Sequence, residues 1–208
     1  MKTILRTTLA AGLAAVALAG CRSPEVRFYM MPTPPPDEGL QPDAFAVVIA
    51  PIEVPPIIDR PQVVWREGQA GMHADDYHRW GAGLPAEIRR ALAEHLRALL
   101  KSDSIVAEPA DLPGPDTLRL SVFIQQLDAR PNGRVDLRAV YTVRRGDERE
   151  VTLRDVADVH VKVKGEFPTD VVVGYGDAVG ELARQIAAHM RRLSPKAPAP
   201  PETPPPAP

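Results

Sequence analysis

Two histidines and two aspartates fall within six residues, His73-Ala74-Asp75-Asp76-Tyr77-His78, and this is where metal-binding side-chain types gather in the chain. A structural or catalytic metal site needs three or four N, O or S donors converging on one point. In an extended strand alternate side chains share a face, which groups His73 with Asp75 and His78 with Asp76. The two histidines then point apart, and neither face collects three ligands. The expectation is a polar, solvated edge with no metal.

Cys21 offers a different chemistry. It is the sole cysteine of 208 residues and directly follows Leu18-Ala19-Gly20. A basic head, Met1 to Arg6, and a short Ala/Leu-rich run, Thr7 to Ala17, come before it, too short to span a bilayer as a permanent helix. An ordinary secretory signal with a chance cysteine would explain the run. The cysteine, however, occupies the one position that the bacterial lipobox requires, where the thiol is lipidated and becomes the first mature residue. With that thiol consumed, disulfides, cysteine-ligated zinc and thiol catalysis all drop out. Several acyl chains anchor stably where one would bind only marginally. Arg22 stands where an aspartate would retain a lipoprotein in the inner membrane, so it favours the outer membrane.

The remaining polar chemistry is sparse. No Gly-x-Ser-x-Gly nucleophile, phosphate-binding glycine loop or helical His-x-x-x-His pair occurs. Asp59-Arg60 is the one charged pair that invites a catalytic reading. The simpler one is that Asp59 orders a turn by accepting nearby backbone N–H groups, while Arg60 pairs with a carboxylate or carbonyl. No enzyme activity and no cofactor beyond the covalent lipid is expected. Lys2 and Arg6 leave with the signal, so 25 basic residues become 23 against 27 acidic, and the formal balance moves from −2 to −4. That balance gives nucleic acid no electrostatic footprint.

Asp59 and Arg60 lie in the stretch that organises the chain. Val47 to Val54 reads as a strand entering a core, and Gln62 to Trp65 as another leaving it. Between them Pro55-Pro56-Ile57-Ile58-Asp59-Arg60-Pro61 is too proline-rich for a helix or central strand. This stiff elbow should project at one end of a sheet. Exposed, its apolar tip would be a contact site; buried under the helix at Leu84, it would be core. Val26 to Met31 forms a first strand, and Met72 to Trp80 a polar strand or extended edge. Leu84 to Leu100 is a helix, with Leu84, Ile88, Ala91, Leu92, Leu96 and Leu99 on its apolar side and His95 packed beside them. Glu87, Arg90, Glu94 and Arg97 make its polar face, with Arg90/Glu94 and Glu94/Arg97 pairs.

A meander follows. Leu118, Leu120, Val122 and Ile124 alternate with Arg119, Ser121, Phe123 and Gln125, and Pro131-Asn132-Gly133 turns the chain back into Val135, Leu137, Ala139, Tyr141 and Val143. Val151, Leu153, Val159, Val161 and Val163 carry a third strand, bulged near Asp155. A last helix, capped by Thr169, runs to about Leu193, with Gly174, Gly176 and Gly180 weakening it. The division is therefore a signal (1–20), a lipidated N-terminus and short tether (21–25), one domain (26–193) and a proline-rich disordered tail (194–208).

The elbow, together with Arg27-Phe28-Tyr29-Met30-Met31 and Arg79-Trp80, resembles the Val-Pro-x-x-[Ile/Leu]-Asp-Arg-Pro-Gln-[Ile/Val]-Val segment and flanking motifs of the ABC-type transport auxiliary lipoproteins, the PqiC-like family of Gram-negative envelopes. Members carry an acidic residue after Trp-Ala at the helix start; this chain has Trp80-Gly81-Ala82-Gly83. The resemblance implies an α/β (α+β) single domain, a mixed or mostly antiparallel sheet with two main helices on one face, like the TolB N-terminal domain. It further implies a non-catalytic outer-membrane lipoprotein on the periplasmic side. Its partner would be an MCE-domain protein of an ABC lipid transporter, with the membrane held through the lipid anchor and homo-oligomerisation left open. Pro55, Pro56, Ile57, Ile58, Asp59, Arg60 and Trp80 are the contact residues this suggests. A structural or assembly lipoprotein of the envelope is the alternative, and an envelope hydrolase has no motif behind it.

Overall fold

The computed structural model describes residues 24–35, 46–108, 117–146, 151–166 and 168–193. The signal, Cys21 and the proline-rich tail lie outside the described residues. Among the described residues eight strands and two helices follow in the order β1 (Arg27–Tyr29), β2 (Val47–Ile49), β3 (Gln62–Glu67), β4 (Gly71–Trp80), α1 (Leu84–Leu100), β5 (Ile105–Ala107), β6 (Leu118–Ala129), β7 (Arg134–Arg145), β8 (Leu153–Lys162) and α2 (Pro168–Arg192).

The strands form two sheets rather than the single one expected. One has the order β5-β2-β6-β7-β8, the other β1-β4-β3. In the first, β2 pairs in parallel with both β5 and β6, while β6, β7 and β8 form an antiparallel meander. The meander's register follows from its alternation: Val122 faces Tyr141 and Leu120 faces Val143, all buried, because a strand with one apolar face can pair productively in only one phase. Asn132 takes a left-handed conformation in the turn, φ 51°. The bulge lies in β6, between Ile124 and Gln126, not near Asp155, where β7 and β8 pair without a break. An extra residue at Gln125 shifts the phase, so Leu127 is buried two places after the exposed Gln125.

Helix α1 begins after Gly83 with no side-chain cap, Pro85 in its first turn, and ends at a left-handed Lys101 whose N–H donates to the Arg97 carbonyl. Thr169, expected as the cap of α2, sits inside that helix's first turn. The glycines of α2 serve close approach. A Cβ on residue 176 would come within 2.8 Å of the Pro32 ring, and one on residue 180 within 2.8 Å of the His95 ring. Both helices join one continuous apolar core with the inward faces of the two sheets.

Strand β4 is the middle of its sheet, not an edge. Four of its residues, Asp75 to His78, stand against Val63 alone across β3, a bulge in which Asp76 and Tyr77 are exposed while Asp75 and His78 are half-buried.

Candidate functional site

The elbow carries the chain from β2 in one sheet to β3 in the other, instead of projecting from one end of a single sheet. Its order comes from the backbone. Ile58 and Asp59 both donate their N–H to the Pro55 carbonyl, at 3.0 and 3.2 Å, and Arg60 donates to the Ile58 carbonyl at 2.9 Å. Asp59 therefore does not order the turn, and Arg60 has no partner: among the described residues neither side chain makes a hydrogen bond or ion pair, and both are exposed.

This turn splits the two isoleucines. Ile57 is 55 % exposed, whereas Ile58 is 2 % exposed and belongs to the core. Pro56 and Pro61 are exposed, and Pro55 is half-buried. Ile58 thus pins an apolar tip made of Pro55, Pro56, Ile57 and Pro61, and drops out as a contact residue.

Trp80 also drops out. It is buried, donates its N–H to the Pro61 carbonyl at 2.8 Å, and its ring lies 5.8 Å from that of Tyr175. The Tyr175 hydroxyl donates to the Val64 carbonyl at 2.6 Å, and burial pushes its pKa up, so it stays a donor. Trp80 is a post holding the end of the elbow against α2.

At its other end the elbow runs into a shallow groove of about 320 Å³ lined by Pro51, Glu53, Ser121, Phe123, Val140 and Arg154. Glu53 bridges to Phe123, and Phe123, Val140 and Val156 stand side by side across β6, β7 and β8 on the outer face of that sheet. Phe123 and Val156 are both exposed. Sequence reading placed Phe123 outward without drawing attention to it. The signal was there: a phenylalanine among Arg119, Ser121 and Gln125 on a face that should be polar.

The polar clusters elsewhere have structural uses. His78 pairs with Asp75 through Nδ1 and Oδ2 at 2.8 Å, not with Asp76, because the bulge abolishes strict alternation. The Tyr77 N–H bonds Asp75 and, with His78, holds its carboxyl below the usual range against partial desolvation. The His73 ring instead lies tilted against that of Trp65, 4.4 Å from centre to centre. Among the described residues no group of three metal-ligating side chains converges. Tyr141, Asp155 and His189 meet within 3.4 Å and tie β7, β8 and α2 together. Burial first, and Asp155 second, push the Tyr141 pKa up to about 12, so it remains a phenol. Arg66 reaches Asp128 at 2.9 Å and fastens one sheet to the other.

Glu87 departs most from the sequence reading. Expected on the solvated face of α1, it is 2 % exposed. Its Oε2 accepts the Met31 N–H at 3.1 Å and Arg90 Nη2 at 2.9 Å, and the same Nη2 donates to the Met31 carbonyl at 2.7 Å. Both backbone groups of Met31, just past β1, are held by one helix.

Comparison with protein families gives a match over residues 29–187 to the model of the ABC-type transport auxiliary lipoprotein component. Among solved structures, an uncharacterized protein superposes with a TM-score of 0.65 at 15% identity, covering 81% of this chain and 99% of that one. A Xanthomonas campestris protein of the DUF330 family does so with a TM-score of 0.59 at 11% identity, covering 81% of this chain and 100% of that one. These likenesses show the fold: two helices on mixed sheets in a single α+β domain. A comparison with curated proteins returned no match.

Proposed function

The chain belongs to the ABC-type transport auxiliary lipoprotein family, and on that premise we propose that it is a non-catalytic outer-membrane subunit of an MCE-type lipid transport system, anchored through Cys21 and docking the periplasmic conduit to that membrane. The observation that carries this reading is the elbow's preformed tip. Pro55, Pro56, Ile57 and Pro61 present apolar surface on a backbone already fixed by proline and by the turn bonds at Pro55. Ordering such a tip on binding costs little entropy, so more of its contact energy reaches affinity. Asp59 and Arg60, exposed and unengaged among the described residues, supply charge for orienting a partner. The groove at Glu53 and Phe123 lies close by along the chain, Glu53 being two residues before Pro55. Arg22 supports the outer membrane as the place of the anchor.

Ile57→Glu tests the proposal without touching the core. The full chain should lose co-purification of an MCE-domain partner from envelope membranes by at least tenfold, with its thermal melt unchanged. Undiminished capture, or a large drop in melting temperature, refutes the docking role of the tip.

A further inference from the structure

Along the first strand the apolar side chains face the wrong way for a solvated edge. Val26, Phe28 and Met30 alternate on one face and are 40 %, 69 % and 61 % exposed, and Phe28 is the most exposed large apolar side chain among the described residues. On the opposite face Tyr29 is half-buried and Met31 buried. Among the described residues β1 is the outer strand of its sheet, with no strand along its free side. Phe28 stands across from Arg79 on β4, and the exposed Tyr77 lies on the same neighbouring strand. An apolar row beside a guanidinium group and a tyrosine has the composition of a bilayer interface, where apolar bodies sink and cationic or phenolic ends stay at phosphate depth.

Connectivity selects the occupant. Val26 lies only five positions after Cys21, a reach of roughly 17 Å at full extension. With the thiol acylated, this row is tethered to one bilayer at high effective concentration, and any other partner must compete with that surface. We infer that the outward face of β1, carried by Val26, Phe28 and Met30, seats in the interfacial layer of the membrane that holds the anchor. The domain then lies against its membrane along the outer strand of the smaller sheet. This inference rests on the lipoprotein reading.

The test uses the acylated full chain in vesicles of phosphatidylethanolamine and phosphatidylglycerol. Because Cys21 is consumed, a nitroxide can be placed on Phe28→Cys, Met30→Cys or, as a control on the other sheet, Phe123→Cys. Collision with oxygen relative to a water-soluble nickel chelate should be several-fold higher at positions 28 and 30 than at 123. Equal, aqueous values at all three overturn the inference. So does shielding of 28 and 30 from both reagents, which would mean that protein covers the row. Retention on vesicles, compared with a Cys21→Ala chain, reads the anchor separately. Retention with aqueous labels removes the inference and leaves the anchor standing, whereas failure of the unsubstituted chain to be acylated removes both.

Discussion

Glu87→Ala is expected to destabilise the domain far more than a helix-surface glutamate should. The carboxylate is 2 % exposed and accepts two hydrogen bonds. Its removal leaves the Met31 N–H without an acceptor inside the protein, worth about 1–3 kcal/mol. Arg90 loses its charge partner too, but its side chain is 31 % exposed and keeps the Met31 carbonyl, so rehydration limits that contribution to about 0–1 kcal/mol. The expected total is about 1–4 kcal/mol. Glu87→Gln keeps an acceptor and loses only the charge, costing about 1 kcal/mol. Arg90→Ala strands a buried carboxylate and should cost about 3 kcal/mol or more, despite Arg90 being the more exposed partner. Replacing both with leucine should cost clearly less than the two single alanine losses combined, since no charge is then left alone. Urea unfolding of the soluble domain measures all four. A Glu87→Ala loss below about 0.5 kcal/mol, or simple additivity in the double variant, would refute the buried clamp.

Val122→Asp buries an unpaired charge between β6 and Tyr141 and should remove more than about 3 kcal/mol, whereas Ser121→Asp, one residue away on the groove side, should stay within about 1 kcal/mol; similar melts for the two would mean the register is wrong. His95 is expected to make folding acid-sensitive. Burial first, and Arg184 second, lower its pKa, with Asp177 opposing. The unfolded chain therefore takes up the proton before the folded one does, and the stability His95 contributes is complete above about pH 6.5 and is lost as the pH falls through its lowered folded value. His95→Gln should flatten the fall in melting temperature between about pH 7 and pH 5 relative to the unsubstituted chain; parallel falls would refute this.

What could be read in the sequence is what is set by near neighbours. The leucine stripe of α1 and the alternation around Pro131-Asn132-Gly133 specify a helix and a hairpin whose partners are a few residues away. The split into two sheets could not be read, because β2 chooses β5 and β6 across long separations, and β5, three residues long, carries almost no pattern. Glu87 was hidden for the same reason: helical spacing puts it beside the apolar stripe, and only the backbone of Met31, far away along the chain, makes burial favourable. The elbow was legible as rigid, but the opposite fates of Ile57 and Ile58 depend on two hydrogen bonds to Pro55 that no residue pattern encodes. The alternation argument failed at His78 because the bulge in β4 breaks the rule on which it rests.

The grip of α1 on Met31 has a mechanical meaning in a tethered protein. With the anchor proposed at Cys21, a pull between membrane and domain would enter through Val26 and load β1 lengthwise, in shear against its parallel partner β4. The three residues of β1 would give way in succession if nothing lay behind them. Behind them Met31 is fastened at its N–H and its carbonyl to the side of a seventeen-residue helix, with its own side chain in the core. Tension on that proposed anchor would therefore pass beyond β1 into a helix of the core, which resists peeling of the domain from its end.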